Sequence, residues 1–301
     1  MEKARFKWVL RERNRKIAAK TEVFTEQQAR RVRSFHSSFK EYSPTPLIEL
    51  TSLAQHLGIK NLFVKDESYR FGLNAFKVLG GSFAIGSYIA NELGEDIDDL
   101  PYMRLVSDEV RSLLGSKTFI TTTDGNHGRG VAWTANRLKQ QAIVYMPQGS
   151  AAERLANIRA EGAQAEITDM NYDDTVRYTS ELAQKNGWII VQDTAWDGYT
   201  RIPLWIMQGY MTMALEAYEQ LPVKPTHIFL QAGVGSLAGS VQGFFADIYG
   251  SSCPLTFIVE PKGADCLYQT AAANDGSLHS VTGRLETIMA GLACGEPNSI
   301  A

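Results

Sequence analysis

A regular alternation of short apolar runs with amphipathic stretches occupies the middle of the chain, from Thr118 to Asp193. The apolar runs have the length of strands, and the stretches between them repeat apolar residues at helical spacing. The predicted strands are TFITTT, AIVYMP, AEITDM and WIIVQD, and the predicted helices between them are NHGRGVAWTANRLKQQ, AAERLANIRAEG and DDTVRYTSELAQKNG. This pattern indicates a largely parallel sheet covered by helices on both faces.

The alternation resumes after a break. A long helical pattern over residues 202–220 precedes the predicted strand THIFLQ, a glycine-rich loop, a helix that ends near Ile248, and the predicted strand LTFIVE. We therefore predict an α/β fold in three parts. An N-terminal portion is followed by an inserted α/β portion over residues 83–193, after which the chain returns to the sheet of the first portion.

Composition and charge narrow the class of protein. The chain has 301 residues, of which 44% are hydrophobic and 21% charged, with a formal net charge of -3. No basic block suggests nucleic acid or a membrane surface as a partner. The charged N-terminus lacks the apolar core of a signal peptide, and no later run reaches the length of a membrane span. We expect a cytoplasmic protein that binds small molecules or copies of itself.

Three cysteines, Cys253, Cys266 and Cys294, are too few and too scattered to predict a disulfide framework or a zinc site. We expect reduced thiols and no metal. A bridge between Cys266 and Cys294 stays an open question, because it requires their Cα atoms to lie within about 7 Å of each other.

Loops at the carboxyl ends of parallel strands are where ligands gather in such folds. TTTDGNHGRG, residues 121–130, places Asp124, Asn126 and His127 where a strand passes into a helix. Such a turn presents backbone N–H groups and short polar side chains to a ligand. It equally fits a structural role, in which Asp124 caps the helix and His127 packs in the core.

VQDTAWDGY, residues 191–199, ends a predicted strand at Asp193, close to Trp196 and Tyr199. An acid beside aromatic rings can bind a cationic substrate or take a proton. It can also be a simple turn former.

QAGVGSLAGS, residues 231–240, also follows an apolar strand. Its glycines allow the backbone to approach a phosphate, and the next helix adds the partial positive charge of its N-terminus. A dinucleotide site is the competing interpretation, because Glu260 closes the next strand where a ribose-binding acid is expected. The spacing G-x-G-x-x-x-G departs from the dinucleotide pattern G-x-G-x-x-G and so favours the phosphate interpretation.

FGLNAFKVLGGS, residues 71–82, places Lys77 at the expected start of a helix, followed closely by two glycines that allow a flat ligand to approach. This arrangement is typical of a lysine that forms a Schiff base, although a lone lysine is more often a solvated surface residue. An amine nucleophile, a phosphate cradle and polar groups at neighbouring strand ends together indicate pyridoxal 5'-phosphate.

Longer motifs identify a family. PTPLIELTSLAQHLGIKNLFVKDES followed by NAFKVLGG resembles the fold type II pyridoxal-phosphate enzymes, which include threonine dehydratase and the tryptophan synthase β subunit. Within that group, AFKVLGGSFA, TTTDGNHGRGVAW, VQDTAWDGY and LQAGVGSLAG resemble the diaminopropionate ammonia-lyases. DGNHG is the most telling of them, because the dehydratases more usually have Ser in place of its Asp. The resemblance runs from about Phe24 to Asn298.

The resemblance implies a fold of two three-layer α/β/α domains with mostly parallel sheets. Residues 1–82 and 194–301 would form the large cofactor-binding domain, and residues 83–193 the small inserted domain. Chains of this family normally continue for roughly another hundred residues, so we expect the C-terminal part of the large domain to be missing and activity to be affected.

The resemblance also implies site roles. Lys77 would form the Schiff base, and Asn126 would donate a hydrogen bond to the phenolic oxygen of the cofactor. Asp124 and Asp193 would face the substrate, with Lys77 as the base for the L form and Asp124, with or without Asp193, as the base for the D form. The phosphate would bind the backbone of Gly233, Val234, Gly235, Ser236 and Leu237.

The implied reaction is α,β-elimination of 2,3-diaminopropionate to pyruvate and ammonia by a homodimer. Three alternatives remain at this stage: a serine or threonine dehydratase of the same fold, a nicotinamide-dependent dehydrogenase based on the glycine loop and Glu260, and an inactive cofactor-binding fragment.

Overall fold

The structure, a computed structural model, describes residues 6–11, 21–123 and 125–301. The α-helices are α1 (Glu26–Ser37), α2 (Thr51–Leu57), α3 (Lys77–Leu93), α4 (Tyr102–Leu105), α5 (Asp108–Leu114), α6 (Asn126–Arg137), α7 (Ala152–Ala160), α8 (Tyr172–Asn186), α9 (Arg201–Gln220), α10 (Ser236–Tyr249) and α11 (Cys266–Ala273). The strands are β1 (Leu47–Glu49), β2 (Phe63–Lys65), β3 (Thr118–Thr122), β4 (Gln141–Met146), β5 (Gln164–Ile167), β6 (Ile189–Ile190), β7 (His227–Gln231) and β8 (Leu255–Val259). Short 3₁₀ helices lie at Thr21–Val23, Glu67–Gly72, Ile97–Asp99, Gly250–Ser252 and Ala290–Leu292.

The middle of the chain forms a four-stranded sheet in the order β5-β4-β3-β6, and all of its strand pairs are parallel. Helices α6, α7 and α8 connect these strands, as the alternation of apolar and amphipathic segments predicts. Two smaller sheets flank this unit, an antiparallel pair β1-β2 and a parallel pair β7-β8. The predicted α/β class with mostly parallel sheets is confirmed.

Strand β6 is shorter than the predicted strand WIIVQD, for a reason that concerns the site. The N–H of Val191 still donates to Ile120, but the N–H of Gln192 donates instead to the hydroxyl of Tyr199 at 2.8 Å. The side chain of Gln192 takes over the pairing with β3, since its Oε1 accepts from the N–H of Thr122 at 3.1 Å. The chain thus leaves the sheet just before Asp193.

Helix α3 lies in the core and packs against α6 and α9. Glycines permit the close approach to α9, because a Cβ on Gly209 would lie 2.3 Å from the carbonyl oxygen of Leu79. A Cβ on Gly80 would lie 2.7 Å from side-chain atoms of both Ile206 and Tyr210. This tight crossing determines where the first residue of α3, Lys77, is held.

A buried ion-pair network anchors the segment that precedes Lys77. Arg70 is fully buried, and its guanidinium lies 2.8 Å from Glu67 and 2.7 Å from Glu216 on α9. Burial alone would raise the pKa of Glu216, but hydrogen bonds and charge from Arg70 and Lys65 outweigh it and lower that pKa to about 2. The network joins the segment before α3 to the same helix that α3 packs against.

The predicted domain boundary after residue 82 falls within α3, which is one continuous helix. The division into residues 1–82 with 194–301 and residues 83–193 stays a prediction. Within the described ranges, no helix is both long enough and apolar enough to cross a membrane.

Candidate active site

The site lies at the N-terminus of α3, where Lys77 faces the turn that follows β6. The Nζ atom of Lys77 donates to Oδ2 of Asp193 at 2.7 Å. The Lys77 side chain is 23% exposed and that of Asp193 only 6%, so the pair is largely shielded from water on its acidic side. Two residues predicted separately from different loops are thus brought into direct contact.

The charge state of Asp193 follows from its surroundings. Burial alone would raise the pKa of this carboxyl group, but the positive charges of Lys77 and His127 outweigh burial and lower the pKa to about 2. Nδ1 of His127 lies 4.0 Å from Oδ2 of Asp193. Its Nε2 atom donates to the backbone carbonyl of Val191 at 2.7 Å, since a carbonyl oxygen can only accept. His127 is therefore a packed histidine that also faces the carboxylate of Asp193, a contact that the sequence did not reveal.

A cavity of about 240 Å³ opens beside the Lys77–Asp193 pair. This volume is slightly below the range of small-molecule pockets, which begins at roughly 300 Å³. The wall contains three predicted cofactor-binding elements, which are Lys77, Asn126 and the loop of residues 233–237. The lining is completed by Phe76, Arg154, Asp193, Tyr210, Gln231, Ala232, Gly291, Leu292 and Cys294.

The glycine loop joins β7 to α10 and presents its backbone at the start of that helix. Gly235 precedes the first helical residue with φ of 102°, a left-handed conformation that favours glycine. The N–H groups of the first helical turn have no partner within the helix, so this end of α10 is suited to bind a phosphate. The hydroxyl of Ser236 is engaged elsewhere, since it donates to the carbonyl of Asp193 at 2.5 Å. The predicted role of Ser236 in binding a phosphate therefore falls to its backbone N–H, and this role stays a prediction.

Asn126 begins α6 and lines the cavity, as its predicted role requires. Asp124, the other predicted acid, lies outside the described residues. Next to it, the N–H of Gly125 donates to the hydroxyl of Thr123 at 2.9 Å, so part of this turn is stabilised from within.

The structure does not support the dinucleotide interpretation, because Glu260 has another role. Both carboxylate oxygens of Glu260 accept backbone hydrogen bonds at the start of α11, from Leu267 at 2.9 Å and from Tyr268 at 2.7 Å. Glu260 therefore caps a helix and is not presented to a ribose. The aromatic residues after Asp193 also shape the chain, since Trp196 and Tyr199 stack at 4.3 Å between ring centroids.

Several cavity residues were not predicted. Tyr210 comes from the middle of α9, and nothing in its helical pattern distinguishes it from core residues. Its hydroxyl is buried and has no hydrogen-bond partner within residues 6–11, 21–123 and 125–301. A buried hydroxyl of this kind at a cavity wall fits a polar ligand.

The thiols flank the same loop. Cys266 donates from Sγ to the carbonyl of Gly233 at 3.6 Å, and Sγ of Cys294 lies 3.3 Å from where a Cβ of Gly233 would be. All three cysteines are reduced thiols in the structure. No group of three or more potential metal ligands occurs in the part of the chain that the structure describes.

These features fit pyridoxal 5'-phosphate. The cavity combines a lysine amine, a helix N-terminus with backbone donors and an unsatisfied tyrosine hydroxyl, which match the aldehyde, the phosphate and the polar ring substituents of that cofactor. Lys77, Asn126 and the 233–237 backbone are the groups that would hold it.

Comparison with known proteins points the same way. The family described as "Pyridoxal-phosphate dependent enzyme" matches residues 39–301 of the chain. A diaminopropionate ammonia-lyase of Salmonella typhimurium is 54% identical over 274 residues, which are 90% of this chain and 68% of that protein.

Solved structures of the Escherichia coli enzyme extend the similarity to three dimensions. Its selenomethionine-substituted holo form has 50% sequence identity and a TM-score of 0.88, and the match covers 95% of this chain and 71% of that chain. The same enzyme in complex with an aminoacrylate-PLP azomethine reaction intermediate matches with a TM-score of 0.85, at 50% identity and with the same coverage of both chains.

Proposed function

We propose roles for residues of this chain on the premise that it belongs to the diaminopropionate ammonia-lyase family within the pyridoxal-phosphate dependent enzymes. Its reaction is an α,β-elimination that converts 2,3-diaminopropionate and water into pyruvate and two molecules of ammonia, with pyridoxal 5'-phosphate as cofactor. The dehydratase, dehydrogenase and inactive-fragment alternatives are not favoured by these similarities.

When bound, the cofactor supplies an aldehyde that condenses with amines and a conjugated ring that stabilises negative charge at Cα. We propose that Lys77 is the amine that holds it, that Asn126 orients its ring, and that the 233–237 backbone binds its phosphate. Lys77 must lose a proton before Nζ can act as a nucleophile. Oδ2 of Asp193, 2.7 Å away, is placed to influence that proton.

The substrate explains why two acids occur at the predicted site. At neutral pH, 2,3-diaminopropionate carries a carboxylate and up to two ammonium groups, whereas serine carries a carboxylate and a single ammonium group. We propose that Asp193, which the low pKa of about 2 keeps anionic, and Asp124 balance this additional positive charge. The same carboxylates can receive a proton.

Elimination removes a proton from Cα, and a base can reach this proton from one face only. We propose that Lys77 takes it from the L form and that Asp124 acts on the D form. Because Asp193 contacts Lys77, we expect it to influence turnover of both enantiomers.

The role proposed for Asp124 predicts that an Asp124→Asn variant loses turnover of the D form and keeps most of that of the L form, measured as pyruvate release from each enantiomer. An equal loss with both enantiomers would contradict this assignment.

The observation that carries the proposal is the Lys77–Asp193 contact at the cavity that the glycine loop lines. The test is reduction of the cofactor-loaded chain with borohydride, followed by mass spectrometry of its peptides. We expect a cofactor-sized adduct on Lys77, its absence in Lys77→Ala, and no change in Lys117→Ala, which alters a lysine outside the cavity. Pyruvate should appear with diaminopropionate in preference to serine or threonine. An adduct elsewhere would refute the assignment of Lys77.

We also propose that the chain acts in the cytoplasm as a homodimer, which the family resemblance implies. Exposed apolar side chains on the β7-β8 sheet support association, since Phe229 is 64% and Phe257 41% exposed and their rings stack at 4.8 Å. Light scattering coupled to size-exclusion chromatography should give twice the chain mass. A single-chain mass at micromolar concentration would contradict this proposal.

A further inference from the structure

Tyr210 is a buried cavity residue to which the proposed function assigns no role. It lies on α9, is 1% exposed, and lines the cavity together with Lys77 and Asp193. Its hydroxyl makes no hydrogen bond to any residue that the structure describes. A buried hydroxyl without a partner destabilises a folded protein, so such groups are few and each requires an explanation. A partner supplied by a ligand of the cavity is one such explanation.

The ring of Tyr210 lies beside the first turn of α3. A Cβ built on Gly80, three residues after Lys77, would lie 2.7 Å from Cε1 and 2.9 Å from Cζ of Tyr210, and Cζ carries the hydroxyl. Residues three apart in a helix share a face, and each Cα–Cβ bond tilts towards the N-terminus of the helix. The ring of Phe76 also packs edge-to-face against that of Tyr210, with 5.2 Å between the centroids. The hydroxyl end of Tyr210 therefore lies on the Lys77 side of Gly80.

The two charged groups of the site act on this hydroxyl. Burial is the largest cause that raises the pKa of Tyr210, the positive charge of Lys77 lowers this pKa, and the negative charge of Asp193 raises it. The net result is a pKa above the ordinary value of a tyrosine. The hydroxyl therefore keeps its proton at neutral pH and can donate it in a hydrogen bond.

In pyridoxal 5'-phosphate, the ring carbon that carries the aldehyde is flanked by the carbons that carry the phenolic oxygen and the phosphate arm, and the ring nitrogen lies opposite. A donor beside Lys77 is therefore placed for one of these two groups, which share the chemistry of an anionic oxygen acceptor. We propose that Tyr210 is a cofactor-binding residue whose hydroxyl donates a hydrogen bond to an anionic oxygen next to the aldehyde of the cofactor. This inference rests on the proposed function and deepens it. It is compatible with the roles proposed for Asn126 and the 233–237 backbone, because an anionic oxygen accepts more than one hydrogen bond.

Cofactor affinity and the stability of the cofactor-stripped chain are the two readouts. Affinity is measured by fluorescence titration of the stripped chain with three ligands. These are pyridoxal 5'-phosphate, pyridoxal, which lacks the phosphate, and 3-deoxypyridoxal 5'-phosphate, which lacks the phenolic oxygen. The thermal unfolding midpoint of the stripped chain reports its stability. The proteins compared are the wild type, Tyr210→Phe and the control Tyr218→Phe, which removes a hydroxyl from the same helix outside the cavity.

We expect Tyr210→Phe to weaken binding of pyridoxal 5'-phosphate by roughly 10- to 100-fold, as the loss of a hydrogen bond to a charged group predicts. This loss should disappear with the analogue that lacks the accepting oxygen, so pyridoxal or the 3-deoxy compound identifies the acceptor. The substitution should not lower the midpoint of the stripped chain, because the hydroxyl makes no hydrogen bond to the described part of the protein. Tyr218→Phe should leave all three affinities unchanged.

Other results would overturn the inference. An unchanged affinity of Tyr210→Phe for pyridoxal 5'-phosphate would do so, and so would an equal loss with all three ligands, which would depend on neither oxygen. A lower midpoint of the stripped variant with unchanged affinity would assign the hydroxyl to the stability of the fold. If the wild type bound no pyridoxal 5'-phosphate and gave no adduct on Lys77 after borohydride, the proposed function itself would fail. If the wild type passed both tests and Tyr210→Phe bound the cofactor equally well, only the role of Tyr210 would be wrong.

Discussion

Two strand-to-helix turns look alike in sequence and differ in what they present. The β3–α6 turn, TTTDGNHGRG, and the β7–α10 turn, QAGVGSLAGS, each follow an apolar strand and each contain three glycines. In the first turn, Gly128 and Gly130 lie inside helix α6. In the second, Gly233 and Gly235 precede helix α10.

The glycines of the β3–α6 turn serve packing. A Cβ on Gly130 would lie 2.8 Å from the Cα of Val78, which follows Lys77 in α3. A Cβ on Gly128 would lie 2.3 Å from a methyl group of Thr123. These glycines bring α6 close to α3 and to β3, and the roles proposed for this turn belong to its side chains.

The β7–α10 turn uses glycine for backbone conformation. Gly235 has φ of 102°, and the backbone of residues 233–237 faces the cavity. Similar composition thus produces one turn whose glycines serve packing and one whose glycines shape the backbone at the cavity. The lesson is that a glycine-rich loop is interpretable only when the neighbours of each glycine are known.

Asp193 connects the two turns. Its carboxylate faces His127 of the first turn and Lys77 at the start of α3, and its backbone carbonyl accepts from Ser236 of the second turn. Asn298 supports this link, because its Nδ2 donates to the hydroxyl of Ser236 at 2.7 Å. The position of one acid therefore depends on both turns.

The largest expected effect comes from removing the charge of this connecting acid. Asp193→Asn keeps the side-chain size and the backbone contact to Ser236 but leaves Lys77 without its carboxylate. We expect turnover of both enantiomers to fall by roughly 10²- to 10⁴-fold, the range typical of lost acid–base assistance, measured as pyruvate release.

Ser236→Ala is the matched control. It removes the hydrogen bond from the Ser236 hydroxyl to the backbone of Asp193 and keeps the carboxylate charge, so it should lower turnover far less. Near-normal turnover of Asp193→Asn would show that the contact with Lys77 is merely structural.

The sequence predicted much of this arrangement. Apolar runs identified β3, β4, β7 and β8 within a residue or two, because strands of parallel sheets carry nearly continuous apolar side chains. Lys77, Asn126 and the 233–237 loop were recognisable because each lies in a local motif. Asp124 lies outside the described residues, so its role stays a prediction.

Tyr210 and Arg154 could not be found in the same way. Each is one polar residue on a long helical pattern, and it reaches the cavity only through contacts between elements far apart in sequence. The approach of α9 to α3, which Gly80 and Gly209 permit, places Tyr210. The end of β6 could not be predicted either, because the Oε1 atom of Gln192 accepts the hydrogen bond of the Thr122 N–H in place of a backbone carbonyl.

The second-largest expected effect, after that of Asp193→Asn, tests the packing role of the β3–α6 glycines. Gly130→Ala forces a methyl group to 2.8 Å from backbone atoms of α3, which can yield only if the helix moves. We expect a loss of roughly 3 kcal/mol in unfolding free energy, near the upper end of overpacking effects, measured by urea unfolding.

Gly81→Ala is the control on the facing helix at the same contact. Its Cβ would meet its nearest neighbour at 3.4 Å, an ordinary van der Waals distance, so its effect should stay within about 1 kcal/mol. Equal effects of the two substitutions would remove the distinction between the two turns.

Lowering the pH should weaken the contact between the carboxylate of Asp193 and Lys77. The pKa of this carboxyl group is lowered from its ordinary 3.8 to about 2 in the folded chain, so its contribution to stability is present above about pH 4 and is lost as the pH falls towards 2. The stability difference between the wild type and Asp193→Asn should shrink by roughly 2 kcal/mol between pH 5 and pH 2.

Thermal unfolding of the cofactor-free proteins across this range measures the difference. Glu216, whose pKa is also lowered to about 2, is common to both proteins and cancels in the comparison. A difference that does not change with pH would show that Lys77 does not stabilise the ionised acid.

The smallest effect concerns the backbone role of the β7–α10 turn. Gly235→Ala requires a non-glycine residue at φ of 102°, with its Cβ 3.1 Å from that of Ala301. This strain costs of the order of 1 to 2 kcal/mol, and we expect cofactor affinity to fall by about 10-fold as the backbone donors shift.

Gly149→Ala separates strain from function. Gly149 has φ of 84° with open space around it, so alanine there is strained without touching the cavity. It should lower the thermal midpoint and leave cofactor affinity unchanged. For both variants, thermal unfolding gives the midpoint and fluorescence titration with pyridoxal 5'-phosphate gives the affinity. If both substitutions lowered affinity alike, the loss would reflect general destabilisation, and the distinction between a turn that offers side chains and one that offers backbone would not hold.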